Sequence, residues 1–163
     1  MASHTQFGSL RQYQKGGVEA INDDPRNYAF ANIFEVAGKA EKWERVAVAR
    51  NLKYVIEVVK AEGTSPWYAC AHDEAALVMD GEIWIRLVKP DTAIVAEEHE
   101  GATLLEGHPR GRAMGHIKAR RGHMALLPKG SAYQFHAEGT AVMLIQTIAG
   151  DLTVERWGEI CQK

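Results

Sequence analysis

The sequence predicts an all-β fold: a single jelly-roll barrel made from an antiparallel double sheet. Three observations predict it. Apolar runs rich in β-branched and aromatic residues recur as about ten short strands. Gly, Pro, Asn and Asp stand between them as turn chemistry. Helical periodicity is weak except near the termini, which argues against alternating strands and helices.

The elements follow in order. Residues 1–27 read as a polar N-terminal extension, interrupted by Gly16-Gly17 and closed by the turn Asn22-Asp23-Asp24-Pro25. The barrel domain then occupies residues 28–163. Strands are predicted over Ala29–Val36, Val46–Val48, Tyr54–Lys60, Trp67–Ala71, Ala75–Met79 and Glu82–Val88. Asp80-Gly81, between the last two, is a hairpin signal. A short strand is expected over Thr92–Ala96, and Glu97–Gly115 reads as a long charged loop. Strands resume at His116–Ala119, Met124–Leu127, Ala132–His136 and Ala141–Thr147, and Thr153–Cys161 is a strand or a short helix.

Size and charge narrow the function. A chain of 163 residues suits one domain with a proper core. Hydrophobic content of 46% and charged content of 25% are those of an ordinary globular protein. A net charge of −2 gives no electrostatic case for nucleic acid or an anionic membrane. No apolar run suggests a membrane span, and the N-terminus lacks the apolar middle of a signal peptide. Cys70 and Cys161 form no metal-ligand spacing, and Cys70 reads as a reduced core thiol. A cytoplasmic location is the default expectation. The basic run Arg110, Arg112, Lys118, Arg120 and Arg121 follows acidic Glu97, Glu98, Glu100 and Glu106, a mixture that suits a solvated loop.

The segment Trp67 to Gly81 has the frame of the first cupin motif. That motif places two His one residue apart, a Glu a few residues on, and a Gly seven after the Glu. Glu74 and Gly81 keep the seven-residue step, and Gly63 stands upstream. The two His positions fall on Tyr68 and Cys70. Gly122, Pro128 and Gly130 fit the second motif step for step, and its His position is Tyr133. The resemblance implies a cupin barrel in which Tyr68, Cys70 and Tyr133 fill vacated metal-ligand positions.

Strand alternation puts Tyr68, Cys70, His72 and Glu74 on one face, toward the barrel interior. Iron or manganese there needs imidazoles and a carboxylate on facing strands. Glu74 supplies the carboxylate, and His72 is the alternative imidazole. His136, an odd step past Tyr133, faces the other way. His72 more simply bonds Asp73, Glu74 or a main-chain group. Glu74 more simply accepts a hydrogen bond from Tyr68 or Tyr133. Trp67, Tyr68, Trp84 and Tyr133 could wall a pocket for a flat ring or pack in the core, and Trp67, after Ser65-Pro66, is expected at a strand start near a barrel rim.

Beyond the cupin frame, the chain resembles the small subunit of two-subunit hydroquinone 1,2-dioxygenases. The residues that carry this are Asn22-Asp23-Asp24-Pro25-Arg26-Asn27-Tyr28-Ala29-Phe30 and Ser65 to Glu74, together with the size of the chain. The resemblance implies a metal-free subunit with no catalytic residue of its own. It implies a larger cupin partner carrying non-haem Fe(II) in an α2β2 heterotetramer. That complex opens hydroquinone with O2 to 4-hydroxymuconic semialdehyde. Trp67 is the residue expected to help close the partner's pocket. Two alternatives compete: a self-sufficient metal-dependent cupin enzyme using His72 and Glu74, and a ligand-binding cupin without catalysis.

Overall fold

The computed structural model describes residues 10, 11 and 32–160. The N-terminal extension, apart from Leu10 and Arg11, and Cys161 lie outside the described residues. The chain runs α1 (Ile33–Lys39), β1 (Arg45–Asn51), β2 (Tyr54–Cys70), β3 (Glu74–Asp80), β4 (Glu82–Pro90), β5 (Ala102–Leu105), β6 (Gly111–Arg120), β7 (Met124–Leu127), β8 (Ala132–Ile148), β9 (Thr153–Val154) and α2 (Trp157–Ile160).

Two long antiparallel strands, β2 and β8, organise the barrel. Their first and second halves pair with different neighbouring strands. The stretch Tyr54–Ala61 of β2 pairs with Ala141–Ile148 of β8, and this pair is flanked by β1 on one side and β3 with β7 on the other. The stretch Gly63–Ala69 of β2 pairs with Ala132–Ala137 of β8, and here the flanking strands are β5 and β4 with β6. Register shifts between Ala61 and Gly63 and between Thr64 and Trp67 mark the bend from one set of neighbours to the other. The sequence reading divides each long strand into two, around Gly63 and Pro66 in one and Gly139 in the other. In the fold they lie at the corner.

Asp80-Gly81 is likewise a corner and not a hairpin. β3 and β4 do not pair with each other; both lie along β8, at its two ends. Gly81 has φ +77°, and a Cβ there would sit 2.7 Å from the Ala141 Cβ and 3.0 Å from its Cα. Only glycine allows the chain to cross β8 this closely.

Three further expectations are corrected. The predicted strand Ala29–Val36 gives way, within the described residues, to helix α1. Asn32 Oδ1 accepts the Phe34 N–H at 2.9 Å as an N-cap, and Phe34, Val36, Ala37 and Ala40 bury together against Val46, Val48, Val58 and Val142. Full burial of a Phe or Val contributes roughly 1.5–3 kcal/mol each, enough to override β propensity in a short helix. Thr92–Ala96 is irregular: Ile94 folds down onto Trp67, Val88 and Ala132. The expected loop Glu97–Gly115 contains β5 and the start of β6, both held by pairing to β2 and β4. The almost wholly exposed first half of β6 carries no apolar alternation by which it could be read. The C-terminal ambiguity resolves as both elements, β9 and then α2.

The main core fills the inside of the barrel. Val59, Ile83, Ile85, Leu127, Phe135, Met143 and Ile145 are its large members, and Tyr68 and Tyr133 belong to it. Among the described residues no helix is long and apolar enough to cross a membrane.

Candidate functional site

The inward faces of β1, β2, β3 and β8 meet at a buried polar cluster. In β2, alternation turns Glu57, Tyr68 and Cys70 inward; in β3 it turns Glu74, and in β8 Tyr133 and Thr147. Tyr133 donates a short hydrogen bond to Glu74 Oε2. The Cys70 sulfur and a Glu74 carboxylate oxygen lie within 4.8 Å of each other. The Tyr68 and Tyr133 rings lie 5.7 Å apart, directly across the β2–β8 ladder. Tyr68, Cys70, Tyr133 and Glu74, which stand at the motif positions, are thus brought together in one cluster.

At the centre is a residue the sequence reading passed over. Arg45, at the start of β1, is buried at 4% exposure. Its Nε donates to Glu57 Oε2 at 2.6 Å, its Nη2 to Glu74 Oε1 at 2.7 Å, and its Nη1 to the Tyr133 hydroxyl at 3.2 Å. Arg45 pairs across the ladder with Val59, so Glu57 is its diagonal neighbour. Glu57 Oε1 accepts from Thr153 at 2.6 Å. A signal existed in the sequence: Glu57 is a lone charge inside the apolar run Tyr54–Val59, and a buried carboxylate requires a cation.

The electrostatics follow from that placement. Burial works against the charged guanidinium, but Tyr133, Glu74 and Glu57 outweigh it and hold Arg45 well above its ordinary value. Burial pushes the Glu74 carboxyl up, yet Arg45 and the bonds from Cys70, Tyr133 and Thr147 bring it below the usual range. Burial, then the Glu74 charge, raises Cys70 far enough to keep it a thiol. Tyr133 is raised by burial and, against the pull of Arg45, by Glu74; Tyr68 is raised by burial.

His72 lies past the end of β2, half-buried. Its Nε2 accepts the Ile148 N–H at 3.2 Å and lies 2.9 Å from the Thr147 hydroxyl. The main-chain partner agrees with the simpler sequence reading, although Asp73 instead caps the Lys129 N–H. Burial lowers the His72 pKa. One ligand atom each from Cys70, His72 and Glu74 falls within 4.8 Å of the others. This set does not fit catalytic iron. The motif imidazoles are absent, both Glu74 oxygens are engaged, and a guanidinium stands against them.

Beside Arg45 there is no room for an aromatic ring among the described residues. The gap beside Arg45, lined also by Trp43, Tyr68 and Phe135, is too narrow for a water molecule. Tyr68 and Tyr133 thus pack on each other and on Phe135. Trp67 points the opposite way, outside the barrel. It is within β2 rather than at a strand start, packed on Val88 and Ala132 and edge-on to His108 at 4.9 Å. His136, on the outer face as its odd step predicted, lines an open groove of about 330 Å³ with Trp84, Arg86, His116 and Glu138.

The retained motif residues shape the turns around this site. Gly130 donates its N–H to Cys70 O at 3.0 Å, Ser131 N–H bonds Pro128 O, and Gly122 N–H bonds Val78 O at 2.8 Å. These bonds tie the ends of β7 and β8 to the strands that carry Cys70 and Glu74.

Neither a protein-family model nor a curated protein matches the chain. Solved structures do. One described as hydroquinone 1,2-dioxygenase from Sphingomonas sp. TTNP3 with 4-hydroxybenzoate bound is 57% identical, with TM-score 0.93 over 99% of each chain. Hydroquinone 1,2-dioxygenase PnpCD in complex with Cd2+ and 4-hydroxybenzonitrile is 49% identical, with TM-score 0.92 over 99% of this chain and 98% of that one. A second, longer chain, from a structure of PnpCD in complex with Fe3+, shares the fold alone: 13% identity and TM-score 0.62 over 85% of this chain but 38% of that one. Structures of such enzymes thus hold cupin chains of two sizes, and this one has the size of the smaller.

Proposed function

Since the chain belongs to the hydroquinone 1,2-dioxygenase subunits of the cupin superfamily, we propose that it is the small, non-metal-binding subunit of an Fe(II)-dependent hydroquinone 1,2-dioxygenase. The larger cupin chain carries the iron, and the two assemble as an α2β2 heterotetramer. The complex converts hydroquinone and O2 to 4-hydroxymuconic semialdehyde. The observation that carries this reading is the guanidinium of Arg45 bonded to Glu74, the one retained motif ligand. A guanidinium on that carboxylate competes with any metal ion for it, and the gap beside Arg45 does not admit a water molecule.

Iron bound in the partner supplies the O2 chemistry. This chain's residues supply a rigid body beside it. Arg45, Glu57, Glu74 and Tyr133 cross-link four strands from inside. Of the four candidate aromatics Trp67 and Trp84 stand outside the interior; Trp67, the residue the resemblance puts at the partner's pocket, is the one we assign to the partner-facing side. It supports the excursion between β4 and β6 through Ile94, Leu105 and His108.

Co-expression with the larger chain tests the reading. Iron content and hydroquinone-dependent O2 uptake are expected in the complex and absent from this chain purified alone. Stoichiometric iron and ring cleavage in the isolated chain would falsify it. In the complex, Trp67→Ala is expected to raise KM for hydroquinone more than Trp84→Ala does.

A further inference from the structure

A guanidinium and a divalent metal ion answer the same need in a barrel interior. Each brings positive charge to carboxylates that are costly to bury alone. Here the need is large, because Glu57 and Glu74 are both buried at 1% exposure. Arg45 meets it with a fan of directed donors, to Glu57, to Glu74 and to the Tyr133 hydroxyl. Its Cζ also lies 5.7 Å from the centre of the Tyr68 ring. Its guanidinium thus touches Glu74 and two of the three residues at the vacated ligand positions.

Beside it lies a set of donors with a different preference. The ligand atoms of Cys70, His72 and Glu74 fall within 4.8 Å of one another. A thiol, an imidazole and a carboxylate suit zinc or cobalt rather than a non-haem iron oxygenase site. His72 Nδ1 is buried and has no hydrogen-bond partner among the described residues. What separates these donors from a metal is chiefly the cation bonded to Glu74 Oε1.

We propose that the Arg45 guanidinium is the resident cation of this barrel, and that it is what chiefly denies the Cys70, His72 and Glu74 cluster to a divalent metal. The inference rests on the reading of a metal-free subunit and extends it to a cause. Arg45 is a positioning residue: it sets Glu74 and Tyr133 as a metal sets its ligands. Without it the cluster becomes a site for a soft divalent cation.

Co2+ is the probe, with equilibrium dialysis and visible absorption on the full chain. Wild type is expected to hold no Co2+ through sulfur. Arg45→Met, which keeps the length of the side chain and removes its charge, is expected to bind Co2+ about tenfold tighter or more, because the like charge beside Glu74 is gone. It should show thiolate-to-cobalt absorption and a thermal midpoint that rises with Co2+. Adding Cys70→Ser should abolish the absorption. A folded Arg45→Met chain that takes no Co2+ overturns this inference alone. A wild-type chain that takes Co2+ through Cys70 overturns it together with the metal-free reading. Should Arg45→Met not fold without metal, Arg45→Met/Glu57→Gln removes one of the two bare carboxylates. Recovery of fold or of thiolate-bound Co2+ in that variant supports the proposal; failure of both variants to fold even with Co2+ overturns it.

Discussion

Two of the places where cations hold carboxylates in this chain have opposite settings. Inside the barrel, Arg45 holds Glu57 and Glu74 with side chains at most 4% exposed. On the outer edge, where β4 pairs with β6, Glu82 accepts from Arg120 at 2.6 Å and from Lys118 at 3.0 Å, with the arginine 67% exposed. The geometries are alike; the surroundings are not. Outside, water and salt compete for every charge, and such pairs contribute little. Inside, nothing replaces a lost partner, so the cluster resists disruption strongly even though its net contribution over an apolar core is small. Short distances alone therefore say little about what an ion pair does.

The largest effect should come from leaving the inner carboxylates bare. Arg45→Met is expected to cost about 3–5 kcal/mol, read as a lower urea midpoint at neutral pH. Removing all the charges together, in Arg45→Met/Glu57→Gln/Glu74→Gln, should recover a large part of that loss, because uncompensated charge rather than a lost bond is what destabilises. A triple variant as unstable as the single one would break the comparison. Tyr133→Phe comes next, at about 1–3 kcal/mol, since Glu74 Oε2 loses its hydroxyl donor while Arg45 stays on Oε1.

Much of this inner site was legible from spacing. The seven-residue step from Glu74 to Gly81 and the Gly122–Pro128–Gly130 frame place Tyr68, Cys70, Glu74 and Tyr133 together because strand alternation is a local rule. Arg45 and Glu57 were not read, because their partnership runs across a ladder whose register only the fold sets. Strand existence was legible as well; strand continuity was not. Glu62 to Pro66 looks like an interruption, yet it carries β2 around the barrel corner. Asp80-Gly81 has hairpin chemistry but serves a corner, because β8 is long enough to pair with both β3 and β4. Helix α1 was missed because Ile33, Phe34 and Val36 have strand propensities, and the Asn32 cap with burial against β1 and β2 overrides them.

Acid and alkali sharpen the contrast from two sides. The Glu74 carboxyl is held below its ordinary 4.5 in the fold. The unfolded chain therefore takes up that proton first as pH falls. Its stabilisation is complete above that value and is lost as pH drops through the folded value. Cys70 and Tyr133 are held above their ordinary 9.0 and 10.0. Here the unfolded chain releases protons first, so stability should decline once pH passes the ordinary thiol value. Urea midpoints measured across pH should fall at both ends, and Cys70→Ala with Tyr133→Phe should flatten the alkaline limb. An alkaline limb unchanged by those substitutions would place the titrating groups elsewhere.

The smallest effect belongs to the outer edge. Glu82 is also held below its ordinary value, by hydrogen bonds from Arg120 and then Lys118. Burial plays almost no part there, so removing the charge leaves nothing stranded: Arg120 and Lys118 turn back to water, and Lys118 keeps its place over the Trp84 ring at 4.9 Å. Glu82→Gln should therefore leave the urea midpoint within experimental error of wild type. A double-mutant cycle between Glu82 and Arg120 should give a coupling that high salt removes, whereas the coupling between Glu74 and Arg45 should persist in the same salt. If salt weakened both couplings equally, water would have to reach the inner guanidinium, and the barrel interior could not be the closed ionic site its geometry describes.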